Sequence, residues 1–395
     1  MSTLLKSIVS VHRRVDMQSA LTLPHPLLSL NGFDKISTKQ IKTLPFTHAR
    51  KLNSPPTKLN YLLVASNSSA KKGLQVMADD EYAPLSGADP GSFGKILLSD
   101  VVVRRRRQAF WGRKWNSLDI ENAVIILAMH VLCLCAPFYF TWTALWVAYG
   151  FYVVTGLGIT LSFHRNLSHR SFKLPKWLEY FFAYCGVQAL QRDPIFWVST
   201  HRHHHQFCDS ERDPHSPTEG FWFSHMGWLF DANYITEKCG GPSNVEDLEK
   251  QPFYKFMQDT YFLHPIAFGV LLYAWGGFPF LVWGMGVRIT LGFHITWLVN
   301  SVSHIWGKQA WNTGDLSRNN WWLALLTFGE GWHNNHHAFE YSARHGLEWW
   351  QIDITWYVVR FLQAIGLATD VKVPSEVQKQ RMAFEKEAFQ PEPIS

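Results

Sequence analysis

The chain has 395 residues, of which 47% are hydrophobic and only 17% are charged. This composition excludes a disordered or collagen-like protein. The formal net charge of +6 comes from the N-terminal segment, since residues 1–77 contain eleven Lys or Arg residues and two acids. The remainder gives no electrostatic support for a nucleic-acid partner. Five Cys residues without a C-x-x-C pair do not describe a disulfide framework or a thiolate zinc site.

The N-terminal segment has the composition of an organelle transit peptide. Residues 1–77 are rich in Ser, Lys and Arg and poor in acids, which predicts a disordered plastid leader that is removed between Ser66 and Ala78. Residues 78–117 would then form a basic N-terminal segment of the mature protein. The alternative is a basic tail that stays attached.

Two long stretches almost without charge predict four membrane spans. No Lys, Arg, Asp or Glu occurs between Asn122 and Phe163, and Arg288 is the only one between Thr260 and Gly307. A span needs about 20 apolar residues, and a buried helix of a soluble core is shorter. Four crossings place the segment 164–260 and both termini on one side, which Arg104–Arg107 mark as the inner side. The predicted spans are 122–140, 142–163, 262–283 and 286–304.

Histidine is concentrated in three clusters, beginning at His164, His201 and His333. The second and third have the pattern H-x-x-H-H, which places three imidazoles on one face of a helix. His203 points away from that face, so we assign it no ligand role. His164 and His169 are five residues apart, which predicts that the helix ends or unwinds between them.

A fourth element, Asn300-x-x-x-His304, lies at the end of the last predicted span. Its spacing aims both side chains in one direction. The isolated His130, His264 and His294 are interpreted as hydrogen-bonded structural residues. The candidate ligands are too many for one metal and enough for two: His164, His169, His201, His204, His205, Asn300, His304, His333, His336 and His337.

The donor types do not choose the metal. Imidazole suits iron, copper, zinc and nickel alike. A carboxylate di-iron site would use paired Glu-x-x-His motifs, and Glu330-Gly-Trp-His333 is a single copy.

Four further motifs accompany these clusters in a region of similarity that runs from about Arg107 to Asp370. They are Gly112-Arg-Lys-Trp115, Asp213-Pro-His-Ser-Pro217, Ser224-His-Met-Gly-Trp228 and Trp297-Leu-Val-Asn-Ser301. With them the chain resembles the membrane fatty-acyl desaturases of the stearoyl-type Δ9 family. The resemblance implies an all-α integral membrane protein, in which four transmembrane helices carry a cap domain with a His-rich di-iron site. The desaturase domain would be 118–370 and the C-terminal tail 371–395. The ten residues named above would bind two Fe²⁺ ions, with O₂ as co-substrate.

The resemblance also implies partners and a substrate. The sequence has no cytochrome b5 motif His-Pro-Gly-Gly and no dinucleotide-binding glycine motif, so electrons would come from a separate protein, which in a plastid is ferredoxin. Among the similar plant acyl-lipid desaturases, the plastid-targeted kind introduces a cis double bond at position 7 of palmitoyl chains on monogalactosyldiacylglycerol. We therefore expect a multi-pass protein of the chloroplast envelope or thylakoid, with the metal site on the stromal side. Trp228 and Trp297 are candidates for the wall of the acyl tunnel.

Three alternatives stay open at this point. The first is an acyl-CoA or acyl-lipid Δ9 desaturase of the endoplasmic reticulum or plastid. The second is a lipid hydroxylase, which shares the ligand set. The third is a membrane metal transporter, which predicts ligands distributed along a pore.

Overall fold

A computed structural model describes residues 112–240 and 243–384. The predicted leader, Arg104–Arg107 and the end of the C-terminal tail lie outside the described residues. The described chain is helical, and its only β pairings are isolated bridges such as that between Lys173 and Thr369.

The first helical hairpin begins at a capping box. The Asn116 side chain accepts from the backbone N–H of Asp119 at 2.8 Å, and the Asp119 carboxylate accepts from the N–H of Asn116 at 3.0 Å. Helix α1, Ser117–Leu134, is followed by the 3₁₀ turn Ala136–Phe138 and by α2, Trp142–Leu157. The chain therefore reverses near Pro137, where the first predicted span gives way to the second.

The second hairpin reverses at a different place from the one predicted. Helix α9, Leu263–Leu281, has non-helical dihedral angles at Gly276 and Gly277, where Gly277 has φ +66°. The two limbs then pack antiparallel, since a Cβ atom at Gly284 would lie 2.7 Å from Leu272 Cδ1. The prediction of a turn between 283 and 286 was wrong. Beyond α9 the helix continues without a break as the π-helix Val282–Val287, α10 (Arg288–Ser301) and the 3₁₀ turn Val302–His304.

Gly284 and Gly286, which lie where the third and fourth predicted spans meet, are packing positions. A Cβ atom at Gly286 would lie 2.8 Å from the backbone N of Cys133 and 2.9 Å from the carbonyl carbon of Leu132. Gly286 therefore allows the second limb to approach the backbone of α1 closely.

Among the described residues, three helical stretches are long and apolar enough to cross a membrane: Ser117–Phe138, Trp142–Ser168 and Leu263–His304. The third has 42 residues, which is about 63 Å of helix and twice the hydrocarbon thickness of a bilayer. Its reversal at Gly277 divides it into two limbs. The apolar side chains of α1 are largely exposed, with Leu127 at 64%, as expected of a surface that faces lipid.

The remaining helices are α3 (Lys176–Val187), α4 (Pro194–Phe207), α5 (Phe221–His225), α6 (Ala232–Cys239), α7 (Glu246–Glu249), α8 (Pro252–Asp259), α11 (Trp321–Leu326), α12 (His333–Ala338), α13 (Ile354–Ala364) and α14 (Glu376–Met382). Of these, α3, α4 and α13 contact the π-helix that continues α2. Short 3₁₀ turns occur at Pro217–Glu219 and Gly227–Phe230. An apolar cluster that includes Phe163, Ile195 and Tyr254 joins the end of α2 to α4 and α8. These contacts bring the segments of the first two histidine clusters together.

Candidate metal centre

The first histidine cluster lies at the end of a π-helix. Helix α2 continues as the π-helix Gly158–Ser168, all of whose residues are buried. The backbone N–H of His169 donates to the carbonyl of His164 at 3.2 Å, five residues earlier. This wider spacing brings the two rings within 4.9 Å of each other, measured between centroids. The helix therefore widens and then ends at Ser168, so the predicted departure from a straight α-helix is confirmed.

The second cluster is carried by α4, whose start is fixed by Asp193. One Asp193 carboxylate oxygen accepts from the N–H groups of Ile195 and Phe196, both at 3.0 Å, and Pro194 occupies the first turn. His201, His204 and His205 face the centre of the cap. The His203 ring instead stacks on Phe207, with 6.2 Å between centroids, away from the other three as predicted.

The third cluster is held by the asparagines between its histidines. The Asn334 side-chain oxygen accepts from the N–H groups of Ala310 and Trp311, at 2.7 and 2.8 Å. The Asn335 amide donates to the His345 carbonyl at 2.8 Å. These bonds fix α12, which has only six residues, so that its histidines point inward.

The nine predicted histidines form two adjoining groups. Within each group, one nitrogen of every ring lies within 4.8 Å of the others. The rings of His205 and His337, one from each group, have centroids 4.5 Å apart. Group A consists of His164, His169, His201, His205 and His336, and group B consists of His204, His304, His333 and His337.

Four buried carboxylates, to which the sequence analysis gave no role, lie within hydrogen-bond distance of the Nδ1 atoms of histidines in both groups. A histidine whose Nδ1 donates to a carboxylate presents the lone pair of Nε2 on its other side. The pairs are His164–Glu330 at 2.6 Å, His204–Asp213 at 3.0 Å, His304–Asp209 at 3.1 Å and His337–Asp315 at 3.0 Å.

The Nε2 atoms converge in close pairs. Those of His304 and His333 lie 2.9 Å apart, and those of His164 and His336 lie 3.0 Å apart. The His169 and His201 atoms are separated by 2.8 Å.

The protonation of the site suits metal cations. Burial lowers the pKa values of His201, His205, His333 and His336 well below the ordinary value, so these rings are neutral. Neutral imidazole is the form that binds metals. The donor set therefore fits two metal ions of the borderline class, one in each group.

A buried ionic network supports group A from behind. Arg165 is fully buried and donates to Glu330 Oε1 at 2.8 Å and to Asp353 Oδ2 at 3.0 Å. Burial alone would raise the pKa of Glu330, but Arg165 and the neighbouring histidines hold it well below its ordinary value. The other oxygen, Oε2, contacts Nδ1 of both His164 and His345, the latter at 3.1 Å. His345 is a buried residue that sequence spacing could not identify, because it lies outside every cluster.

Two cavities that share lining residues lie beside the two groups. The first extends from Tyr152 and Arg288 to His164 and His204. The second, called here the outer cavity, extends from Arg192 and Trp228 to His201, and Trp297 also lines it. Both are bordered by Gln191, Trp197, His201, Thr296 and Asn300.

A hydrogen-bonded pair lies where the cavities meet. The Gln191 amide donates to Thr296 Oγ1 at 2.9 Å and accepts from Trp197 Nε1 at 3.4 Å. This contact joins α10 to the segment before α4, so it fixes the width of the junction.

The isolated histidines are hydrogen-bonded, as expected. His130 Nε2 lies 3.0 Å from His294 Nε2, and His294 Nδ1 lies 3.1 Å from His225 Nε2. His264 Nε2 lies 2.9 Å from Thr260 Oγ1.

Comparison with known proteins gives consistent matches. The fatty acid desaturase family matches residues 140–369. The chain is 61% identical to "Palmitoyl-monogalactosyldiacylglycerol delta-7 desaturase, chloroplastic" of Arabidopsis thaliana, over 93% of this chain and 99% of that protein. It is 64% identical to "Delta-9 acyl-lipid desaturase 1" of the same plant, over 76% of this chain and 99% of that protein. It is 60% identical to "Acyl-CoA C20 Delta5-desaturase" of Anemone leveillei, over 73% of this chain and 94% of that protein.

Proposed function

Because the chain belongs to the fatty acid desaturase family, we propose that it introduces a cis double bond at position 7 of palmitoyl chains on monogalactosyldiacylglycerol. Desaturation is an oxidation, so membership of the family makes the chain an oxidoreductase acting on acyl lipids. Its resemblance to this family, found first in the histidine motifs, is confirmed by the comparisons.

The observation that carries the proposal is the position of the two histidine groups at the junction of two cavities. A saturated methylene pair has no proton that a side chain could remove, so the oxidant must come from a cofactor. Two irons held by groups A and B, with Asn300 as a direct or water-mediated partner, would supply that oxidising chemistry from O₂ and two electrons.

The residues of the protein position the acyl chain. An acyl chain lying through both cavities passes Gln191, Thr296 and Trp197, and these side chains restrict its path beside the histidines. The methylenes of a palmitoyl chain are chemically almost identical, so the site of oxidation depends on how the chain is held. Trp228 and Trp297, as residues of the outer cavity, would contact the part of the chain that has not yet passed the junction.

The proposed substrate and compartment rest on how much of the chain each relative matches rather than on the percentage of identical residues. The three relatives differ in double-bond position and acyl carrier although their identities lie between 60% and 64%. The chloroplastic relative matches 93% of the chain, whereas the Δ9 relative matches 76% over almost its whole length. The additional share is about the size of the leader predicted for residues 1–77, which supports a chloroplast protein.

We place the metal centre on the stromal side of a stem with four spans. Both helical hairpins return to the same side, because the π-helix that continues α2 ends at Ser168, beside His164, and the limb that contains α10 ends at His304. Ferredoxin is the proposed electron donor on that side. A metal transporter is disfavoured, since the two groups adjoin each other and are not spaced along the spans.

Lipid analysis tests the proposal directly. A host that makes palmitoyl galactolipid would express the wild type, His204→Gln and the matched control His203→Gln, which lies outside groups A and B. Double bonds would be located by mass spectrometry. We expect a new Δ7 chain of 16 carbons on galactolipid with the wild type and the control, and none with His204→Gln. Unchanged acyl chains with the wild type would contradict the proposal.

A further inference from the structure

The outer cavity is bordered by buried hydrogen-bond donors without a partner. Within residues 112–240 and 243–384, Arg192 Nε and Nη2 and Trp228 Nε1 are buried and make no hydrogen bond. Both side chains line this cavity. Buried donors in folded proteins are normally paired, and an unpaired one is costly. A ligand in the outer cavity that carries an acceptor oxygen would satisfy them.

Arg192 lies at a distance from the histidine groups, whereas Trp228 packs on His215, with 5.3 Å between ring centroids. Arg192 lies two residues before Pro194, at which α4 begins, and His201 lies seven residues beyond Pro194. Seven helical residues span about 10 Å. An acceptor held by Arg192 would therefore be separated from group A by a defined length of acyl chain.

The charge of the cavity favours a neutral acceptor. Arg192 is the only Lys, Arg, Asp or Glu among the described residues that line it. Its Nη1 contacts Glu121 Oε1 at 2.5 Å, so the guanidinium charge is already balanced. An ester carbonyl oxygen suits two donors in these surroundings better than a phosphate, which would need an excess of positive charge.

The backbone around Arg192 has an unusual conformation. Leu190 and Arg192 both have left-handed backbone angles, φ 59° and 79°. Non-glycine residues rarely adopt this region, and such strain is concentrated at functional sites. The backbone N–H of Arg192 also donates to the Tyr261 hydroxyl at 2.8 Å. The turn is therefore held rigidly between α4 and the end of α8.

We propose that Arg192 and Trp228 bind the ester carbonyl oxygen of the acyl substrate, and that this anchor determines which carbon pair lies beside the metal groups. The proposal rests on the proposed function and adds to it the residues that hold the acyl ester. It also assigns an orientation, with the ester in the outer cavity and the methyl end in the cavity that reaches Arg288.

The test compares an ester lipid with its ether analogue. The probes are dipalmitoyl monogalactosyldiacylglycerol and the dihexadecyl ether, which lacks only the carbonyl oxygens. Trp228→Phe removes the indole N–H, and Arg192→Lys keeps a cation beside Glu121 while removing Nε and Nη2. The exposed Trp349→Phe and Arg360→Lys are matched controls. Equilibrium binding is measured on the metal-loaded enzyme without an electron donor, so that no turnover occurs.

We expect the wild type and both controls to bind the ester about tenfold more tightly than the ether. In Trp228→Phe and Arg192→Lys the preference for the ester over the ether should fall below about threefold. When the electron donor is added, these variants should place the double bond at neighbouring positions as well. Variants that keep the full preference and one double-bond position would overturn the proposal. A wild type that binds the ester tightly but never oxidises it would refute the proposed function instead, and the binding comparison would still decide the role of Arg192 and Trp228.

Discussion

The Nε2 atoms of His304 and His333 face each other at 2.9 Å in the interior of the cap. On its other side His304 has Asp209, whose carboxylate lies 3.1 Å from Nδ1. The proton is thereby held on Nδ1, and the lone pair of Nε2 points to the position between the two rings. This relationship, repeated at His164 and His204 with other carboxylates, makes the cap suited to hold metal ions.

Replacement of Asp209 by Asn should weaken metal binding without unfolding the protein. The Asn side chain keeps the shape and tolerates the left-handed φ of 58°, but it no longer fixes the His304 tautomer. Loss of such a partner lowers metal affinity by about 10–100-fold. Metal content after dialysis against a graded chelator measures the effect. Asp370→Asn is the control, because Asp370 is also left-handed, at φ 52°, and is exposed. If the two variants retained metal equally well, the role given to Asp209 would be contradicted.

Replacement of Arg165 by Met should destabilise the fold strongly. It would leave Glu330 and Asp353 as buried carboxylates without their shared cation, and removal of one member of a buried ionic group costs about 3–5 kcal/mol. Thermal unfolding in detergent should show a large decrease in the midpoint. The exposed Arg360→Met should leave the midpoint nearly unchanged, and similar midpoints for the two variants would show that the Arg165 network contributes little.

The approach of the second hairpin to α1 can be tested at a single glycine. Gly286→Ala would place Cβ 2.8 Å from the backbone of Cys133, and backbone cannot move aside as a side chain can. We expect a loss of about 1–3 kcal/mol in the free energy of unfolding. Gly150→Ala, in α2, meets nothing within 4 Å and should be neutral or slightly stabilising. If both substitutions had the same effect, the close contact between the helices would be excluded.

The junction of the cavities should control where the double bond is placed. Thr296→Val removes the acceptor of the Gln191 amide while keeping the side-chain volume. The acyl path should then become less restricted, and mass spectrometry of the products should find additional double-bond positions at unchanged metal content. Thr236→Val, on the exposed surface of α6, is the matched control. If Thr296→Val still placed the double bond at one unchanged position, the Gln191–Thr296 hydrogen bond would have no role in selectivity.

Features with a local periodicity could be predicted from the sequence. The spacing of His201, His204 and His205 on α4 gave their common direction, and the uncharged run around Pro137 gave the first hairpin. The second hairpin was misplaced because Gly276 and Gly284 look alike in a sequence. Only the structure shows that the chain turns beside the first and packs closely at the second.

The partners of the histidines could not be found in the same way. Asp209 lies in a loop 95 residues before its partner His304, and Asp315 lies in a loop 22 residues before its partner His337. No periodic pattern connects an acid in a loop with a distant ring. Glu330 was noticed only as part of a Glu-x-x-His motif with His333, whereas its carboxylate contacts His164. The metal-ligand roles of the ten residues, including Asn300, stay predictions.

The most direct test of the account is the metal content and metal environment of the purified, active enzyme, measured by elemental analysis, Mössbauer spectroscopy and X-ray absorption. We predict two irons per chain whose ligands are mainly imidazole nitrogens, and a loss of both the metal and its absorption signature in His204→Gln. An active preparation with no iron, with one iron per chain, or with a sulfur- or carboxylate-dominated ligand set would contradict the central claim.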